Sequence, residues 1–187
     1  STGSLPKTGL SADNCAVRNC DCQNQPANHH QHFQWIATIH AFCTIFSALR
    51  DEIKWSTQDK LNHASLIDWF RLIGRPIQRY HHNNLESLAN KIKKQSGSGL
   101  VVTDNVFSMD GDRANISGIS KIIDSSNIML MQDDAHGFGV FDPIIPERSI
   151  YMATLGKAAG VMGAFVSGDK DFIEFLIQKS RPYTYTT

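Results

Sequence analysis

Neither sign of charge is in excess in this chain: 18 lysines and arginines face 18 acidic residues among 187. No overall field therefore favours nucleic acid or an anionic membrane surface. No apolar run approaches the roughly 20 residues that a membrane-spanning helix needs. The start of the chain has no basic stretch followed by an apolar segment, so the expected location is cytoplasmic. Cysteine is missing beyond residue 43, because Cys15, Cys20, Cys22 and Cys43 all precede residue 44. There is no internal repeat. The length suffices to bury a good core and suggests about one domain.

Composition divides the chain. Residues 15–32 are crowded with Asn, Gln and His, whereas the later part reads like an ordinary enzyme. We take residues 1–56 as an atypical N-terminal segment and residues 57–187 as the main unit. Cys15, Cys20 and Cys22 with His29, His30 and His32 invite a zinc reading. Their Cys-x-Cys and His-His-x-His spacings match no common finger, and no metal site is expected. A disulfide scaffold fits a cytosolic enzyme poorly. Phe33–Leu49 is apolar enough for a helix or a strand.

From about residue 60 helical and extended signals alternate. Ala64–Ile73 has near-helical apolar spacing, and Leu85, Leu88, Ala89 and Ile92 share one helix face. Ser96-Gly-Ser-Gly99 breaks the chain before a short buried strand, Leu100-Val-Val102. Ile116–Ile123 is helix-compatible, and Ile128-Met-Leu-Met131 is a strand ending at Asp133-Asp134. Tyr151–Leu155 and Ala164–Val166 read as further strands, and Phe172–Ile177 as a helix that Pro182 stops. Strands separated by helices predict an α/β fold with three α/β/α layers and a mainly parallel sheet. Ligands of such sheets gather at the carboxyl ends of the strands. Asp133, His136, Lys157 and Ser108 cluster at those ends.

Lys157 alone, in Thr154-Leu-Gly-Lys-Ala-Ala-Gly160, reads as a surface lysine in a turn. Its companions alter that reading. Pyridoxal 5'-phosphate needs a lysine amine for a Schiff base and an acid against its pyridine nitrogen. It also needs hydroxyls or amides for phosphate and a flat group against the ring. Asp133, His136, Ser108, Thr154 and His63 match those needs. A hydrolase triad of Ser108, His136 and Asp133 lacks the Gly-x-Ser-x-Gly elbow. His81 and His82 read as a polar loop without a role.

Five ordered motifs then carry a family resemblance: Leu61-Asn-His-Ala-Ser-Leu-Ile-Asp68, Arg79-Tyr-His-His-Asn83, Val102-Thr-Asp-Asn-Val-Phe-Ser-Met-Asp-Gly-Asp112, Asp133-Asp-Ala-His-Gly137 and Ala153-Thr-Leu-Gly-Lys-Ala-Ala-Gly160. Together they resemble the alpha-oxoamine synthases, pyridoxal-phosphate enzymes of the aspartate-aminotransferase fold. The resemblance covers about residues 57–187. It implies that Lys157 binds the cofactor and serves as base, that Asp133 meets the pyridinium nitrogen and that His136 meets the phenolic oxygen. It further implies Ser108 beside the cofactor, Thr154 on its phosphate and His63 stacked on its ring, with Asp134 orienting the turn. Gly160-Val-Met-Gly-Ala-Phe-Val166 and Arg181-Pro-Tyr-Thr-Tyr-Thr-Thr187 most resemble the members serving biotin biosynthesis. Those members condense L-alanine with pimeloyl-CoA, or a pimeloyl acyl carrier protein, losing carbon dioxide to give 8-amino-7-oxononanoate. A glycine C-acetyltransferase-like activity is the alternative, and a homodimer is implied.

The sequence also departs from the family pattern. No Gly-aromatic-x-x-Asn segment appears near Thr38–Phe42, and a shifted reading frame between about residues 5 and 50 would account for that. Asn105 stands where the family has a turn glycine, a place asparagine tolerates. The family's small C-terminal domain, which brings an arginine for the substrate carboxylate, has no counterpart before Thr187. The expectation is thus a partial large domain, with a truncated non-catalytic remnant of the family as the other reading.

Overall fold

A computed structural model describes residues 45–124 and 126–179 and, for its backbone, the strand at 32–36. The strands in chain order are β1 (His32–Ile36), β2 (Trp55–Asp59), β3 (Ile77–Tyr80), β4 (Gly99–Asp104), β5 (Ile128–Asp133), β6 (Ser149–Thr154) and β7 (Ala164–Gly168). The helices are α1 (Ala64–Ile73), α2 (Leu85–Ile92), α3 (Ile116–Ile123) and α4 (Lys170–Lys179). The strands form one seven-stranded sheet in the order β1-β7-β6-β5-β4-β2-β3. Pairings among β2 to β6 are parallel, while β7 runs antiparallel to both β6 and β1. This is the mainly parallel sheet that the alternation predicts. Strands β2 and β3 escaped the sequence reading, since Trp55-Ser-Thr-Gln-Asp59 and Ile77-Gln-Arg-Tyr80 show no apolar run. Strand β2 is nonetheless buried throughout.

Local chemistry sets the helix ends. The His63 side chain accepts the Ser65 N–H at the start of α1, and Gly74 closes that helix at φ 70°. Asn84 and Asn115 cap α2 and α3 by accepting the Ser87 and Gly118 N–H groups.

Alternation along each strand then fills two faces. Leu100, Val102, Met131, Ile150, Met152 and Val166 pack on one side under Leu66, Phe70, Leu176 and the helical residues 45–49. Phe46 meets Phe70 edge-on at 4.5 Å there. Trp55, Tyr80, Val101 and Leu130 pack on the other side under Leu88, Ile116, Ile119 and Ile123. Helices thus cover both faces, giving the three expected layers. Gly99 makes room for this packing, because a Cβ on it would lie 2.2 Å from Trp55 Cζ2.

Candidate active site

The carboxyl ends of β4, β5 and β6 lie side by side, with Asp104 opposite Asp133 and Asp133 opposite Met152. Val102, Met131 and Met152 face the first core. Two residues on along each strand, Asp104, Asp133 and Thr154 therefore face the same side of the sheet edge. The turns after the strands add the remaining groups. Lys157, just beyond β6, places its Nζ 2.7 Å from Nε2 of His136, which follows β5. The charge of Lys157 acts on Asp104, Asp133 and His136, and that of His63 acts on His136. The fold so gathers Lys157, Asp133, His136 and His63, which are up to 94 residues apart in sequence (157 minus 63).

Burial sets the electrostatics. It raises the Asp133 carboxyl to about 6, against the pull of the Ala135 N–H and the Lys157 charge. Burial first, and then the Asp133 charge, raises Asp104 to about 8. His136 is lowered by desolvation and by the charges of Lys157 and His63. A neutral imidazole can accept from the lysine amine.

The other expected residues stand nearby without joining this contact. Ser108 is exposed in the turn after β4, and Thr154 is half-buried at the end of β6. Among the described residues no side-chain hydrogen bond links either to the others. The His63 ring is exposed, and its Nδ1 lies 2.8 Å from Ser65 Oγ. Asp133 Oδ1 accepts the Ala135 N–H, and no hydrogen bond builds a Ser108–His136–Asp133 triad. The Tyr151 hydroxyl donates to Asp134 Oδ2 in a buried 2.6 Å bond. A Cβ on Gly137 would sit 2.3 Å from Asp134 Oδ1, so a larger residue there would push that carboxylate aside.

Asp104 itself was not foreseen. Its Oδ2 accepts the His63 N–H at 3.1 Å, and its backbone N–H donates to Asn62 Oδ1. Asn62 also donates to Val102 O, so the loop carrying His63 is stitched to the end of β4. The register of β4 beside β5 was the missing signal, because Val102-Thr-Asp104 shows it only once the strands are paired. Asn105 corrects a second expectation. It is not among the residues with positive φ, and its buried N–H donates to Asp133 O. It therefore needs no special turn conformation. His82, read as a loop residue without a role, bonds to two carboxylates. The cysteines at 15, 20, 22 and 43 and the His29, His30 cluster lie outside the described residues, as does the side chain of His32.

The groups present fit pyridoxal 5'-phosphate. A buried carboxyl above its ordinary range calls for a cation beside it, which a pyridinium nitrogen supplies. Asp104 Oδ1 is buried with no hydrogen-bond partner. The Lys157 amine and the His136 imidazole lie together beside these carboxyls, and the Thr154 hydroxyl ends the strand that leads to Lys157.

Residues 38–187 match the family described as aminotransferase class I and II. The chain is 47% identical over 141 residues to the 8-amino-7-oxononanoate synthase of Pseudomonas putida, covering 70% of this chain and 36% of that one. It resembles the crystal structure of 8-amino-7-oxononanoate synthase from Francisella tularensis with a TM-score of 0.68 and 29% identity, over 83% of this chain and 48% of that one. It shares the fold of Sphingomonas wittichii serine palmitoyltransferase, with a TM-score of 0.70 and 24% identity over 83% and 42% of the two chains. The chain spans about a third of the length of the curated relatives it matches.

Proposed function

Because the chain belongs to the aminotransferase class I and II family, we propose that it forms the cofactor-binding part of a pyridoxal-phosphate-dependent acyltransferase. The reaction is the decarboxylative condensation of L-alanine with a pimeloyl thioester, on CoA or a carrier protein, to 8-amino-7-oxononanoate. The observation that carries this reading is the 2.7 Å contact of Lys157 with His136 beside the buried Asp133, in a chain 47% identical to a named synthase of that product.

The bound cofactor would supply an electron sink for the amino-acid α-carbon. Lys157 would hold the group through its amine and would serve as the base for the α-proton. Asp133 would keep the ring nitrogen protonated, and that cation would in turn favour the ionised carboxyl. His136 would hydrogen-bond the phenolic oxygen and Thr154 the phosphate, with Ser108 and His63 as the further residues that would hold the group. A cytoplasmic homodimer belongs to the same reading.

The test adds pyridoxal 5'-phosphate to the purified chain and follows absorbance above roughly 400 nm, where the lysine-bound cofactor absorbs, before and after L-alanine. The wild type should develop the band, and L-alanine should change it. Lys157→Ala should lack it, and Asp133→Asn should bind more weakly. An unchanged band in Lys157→Ala would overturn the assignment.

A further inference from the structure

The loop after β3 carries two residues that reach in two directions. Asp59, fully buried at the end of β2, opens the loop that leads to His63, accepting the Leu61 N–H at 2.8 Å. Asp112 closes a tight turn after β4 in which Phe107 N–H donates to Asp112 O and Gly111 N–H to Phe107 O. Val106 bridges Arg113 at the base of that turn, and Ser108 sits within it. His82 stands between the two loops, with Nδ1 2.9 Å from Asp59 Oδ1 and Nε2 2.8 Å from Asp112 Oδ2. Its ring packs edge-on against Phe107 at 4.5 Å. Asn83 repeats the link by donating to Asp59 Oδ2 from its backbone and to Asp112 Oδ2 from its side chain. It holds φ 51°, a left-handed conformation that asparagine tolerates and most residues resist.

We infer that His82 is a positioning residue that fastens the Ser108 turn and the His63 loop together, and so sets the cofactor site without touching it. The inference rests on the proposed cofactor site for its consequence, though the fastening itself does not. The chemistry demands a particular protonation state. Each ring nitrogen faces a carboxylate oxygen, so both must carry hydrogen, and only the imidazolium does. The groups facing it are Asp59 from β2 and Asp112 and Asp110 from the turn, all acidic. Desolvation opposes the charge, but the hydrogen bonds and charges of Asp59 and Asp112 outweigh it and raise His82 above its ordinary value. Raising the pH through that raised value removes one of the two His82 donors and loosens the link, which the Asn83 bonds alone then hold.

The test reads amide hydrogen exchange of the full chain without cofactor between about pH 6 and about pH 9, corrected for intrinsic exchange. Protection of the Phe107, Gly111 and Ala114 amides should fall about tenfold with rising pH. His82→Gln should lack that protection across the range while the β4 amides stay protected, and Asp112→Asn should behave likewise. Cofactor titrations of the same proteins should show wild-type affinity weakening about tenfold over the same range, with His82→Gln weak throughout. Equal protection in His82→Gln and wild type at about pH 6 would overturn the inference. So would a pH response of the turn amides, taken relative to the β4 amides, that is as large in His82→Gln as in the wild type, because the Asp104 titration acts on both sets of amides alike. If the turn responds as expected and no cofactor binds, the fastening stands and the proposed function falls.

Discussion

Asp104→Asn should make the cofactor-free chain more stable, increasingly so as the pH rises. Asp104 is 4% exposed, and burial together with Asp133 raises it to about 8. In the unfolded chain an aspartate releases its proton near pH 3.9. Between those values the folded chain keeps a proton that the unfolded chain has lost, so stability falls as pH rises from about 4 to about 8. At about 1.4 kcal/mol per unit, the change between about pH 5 and about pH 8 is on the order of 3 kcal/mol. Asparagine keeps an oxygen for the His63 N–H and carries no charge. Wild type and variant should therefore be similar near pH 4 and diverge by roughly 10 °C in melting temperature near pH 8. Thermal unfolding followed by circular dichroism across that range reads the difference. A gap between the two proteins that stays constant with pH would refute the reasoning.

Two further substitutions probe the frame around the site. Tyr151→Phe removes the buried hydroxyl that donates to Asp134 at 2.6 Å and should cost about 1–3 kcal/mol, read by calorimetry; an unchanged melting temperature would mean that Asp134 finds another donor. Gly99→Ala sets a methyl 2.2 Å from the buried Trp55 ring and should lower the urea midpoint by the equivalent of about 1–3 kcal/mol. A midpoint equal to the wild type would show that the ring yields freely.

Much of this architecture was legible because its signals are local. The helices at 64–73, 85–92 and 116–123 announce themselves by periodicity and by capping residues within a turn of each end. Strands β4, β5 and β7 announce themselves as short apolar runs. Strand β2 did not, because Ser56, Thr57, Gln58 and Asp59 are polar yet wholly buried. Its place between β3 and β4 pulls them inside, and no pattern within five residues encodes that. The same applies to Tyr151, whose hydroxyl matters only because β6 lies beside β5.

By itself the sequence determined an alternating α/β chain and the identity of its reactive groups, because residue type, spacing and motif order are properties of the chain. Lys157 after a strand, Asp133 at the end of another and His136 three residues later were visible there. Only the tertiary structure decided that Lys157 touches His136, that Asp104 lies opposite Asp133 in a shared field, and that His82 joins two loops through two acids. Those facts depend on strand order and register, which bring together residues that no local pattern relates. The pKa changes follow from the same cause, since they arise from burial and from neighbours that only folding supplies.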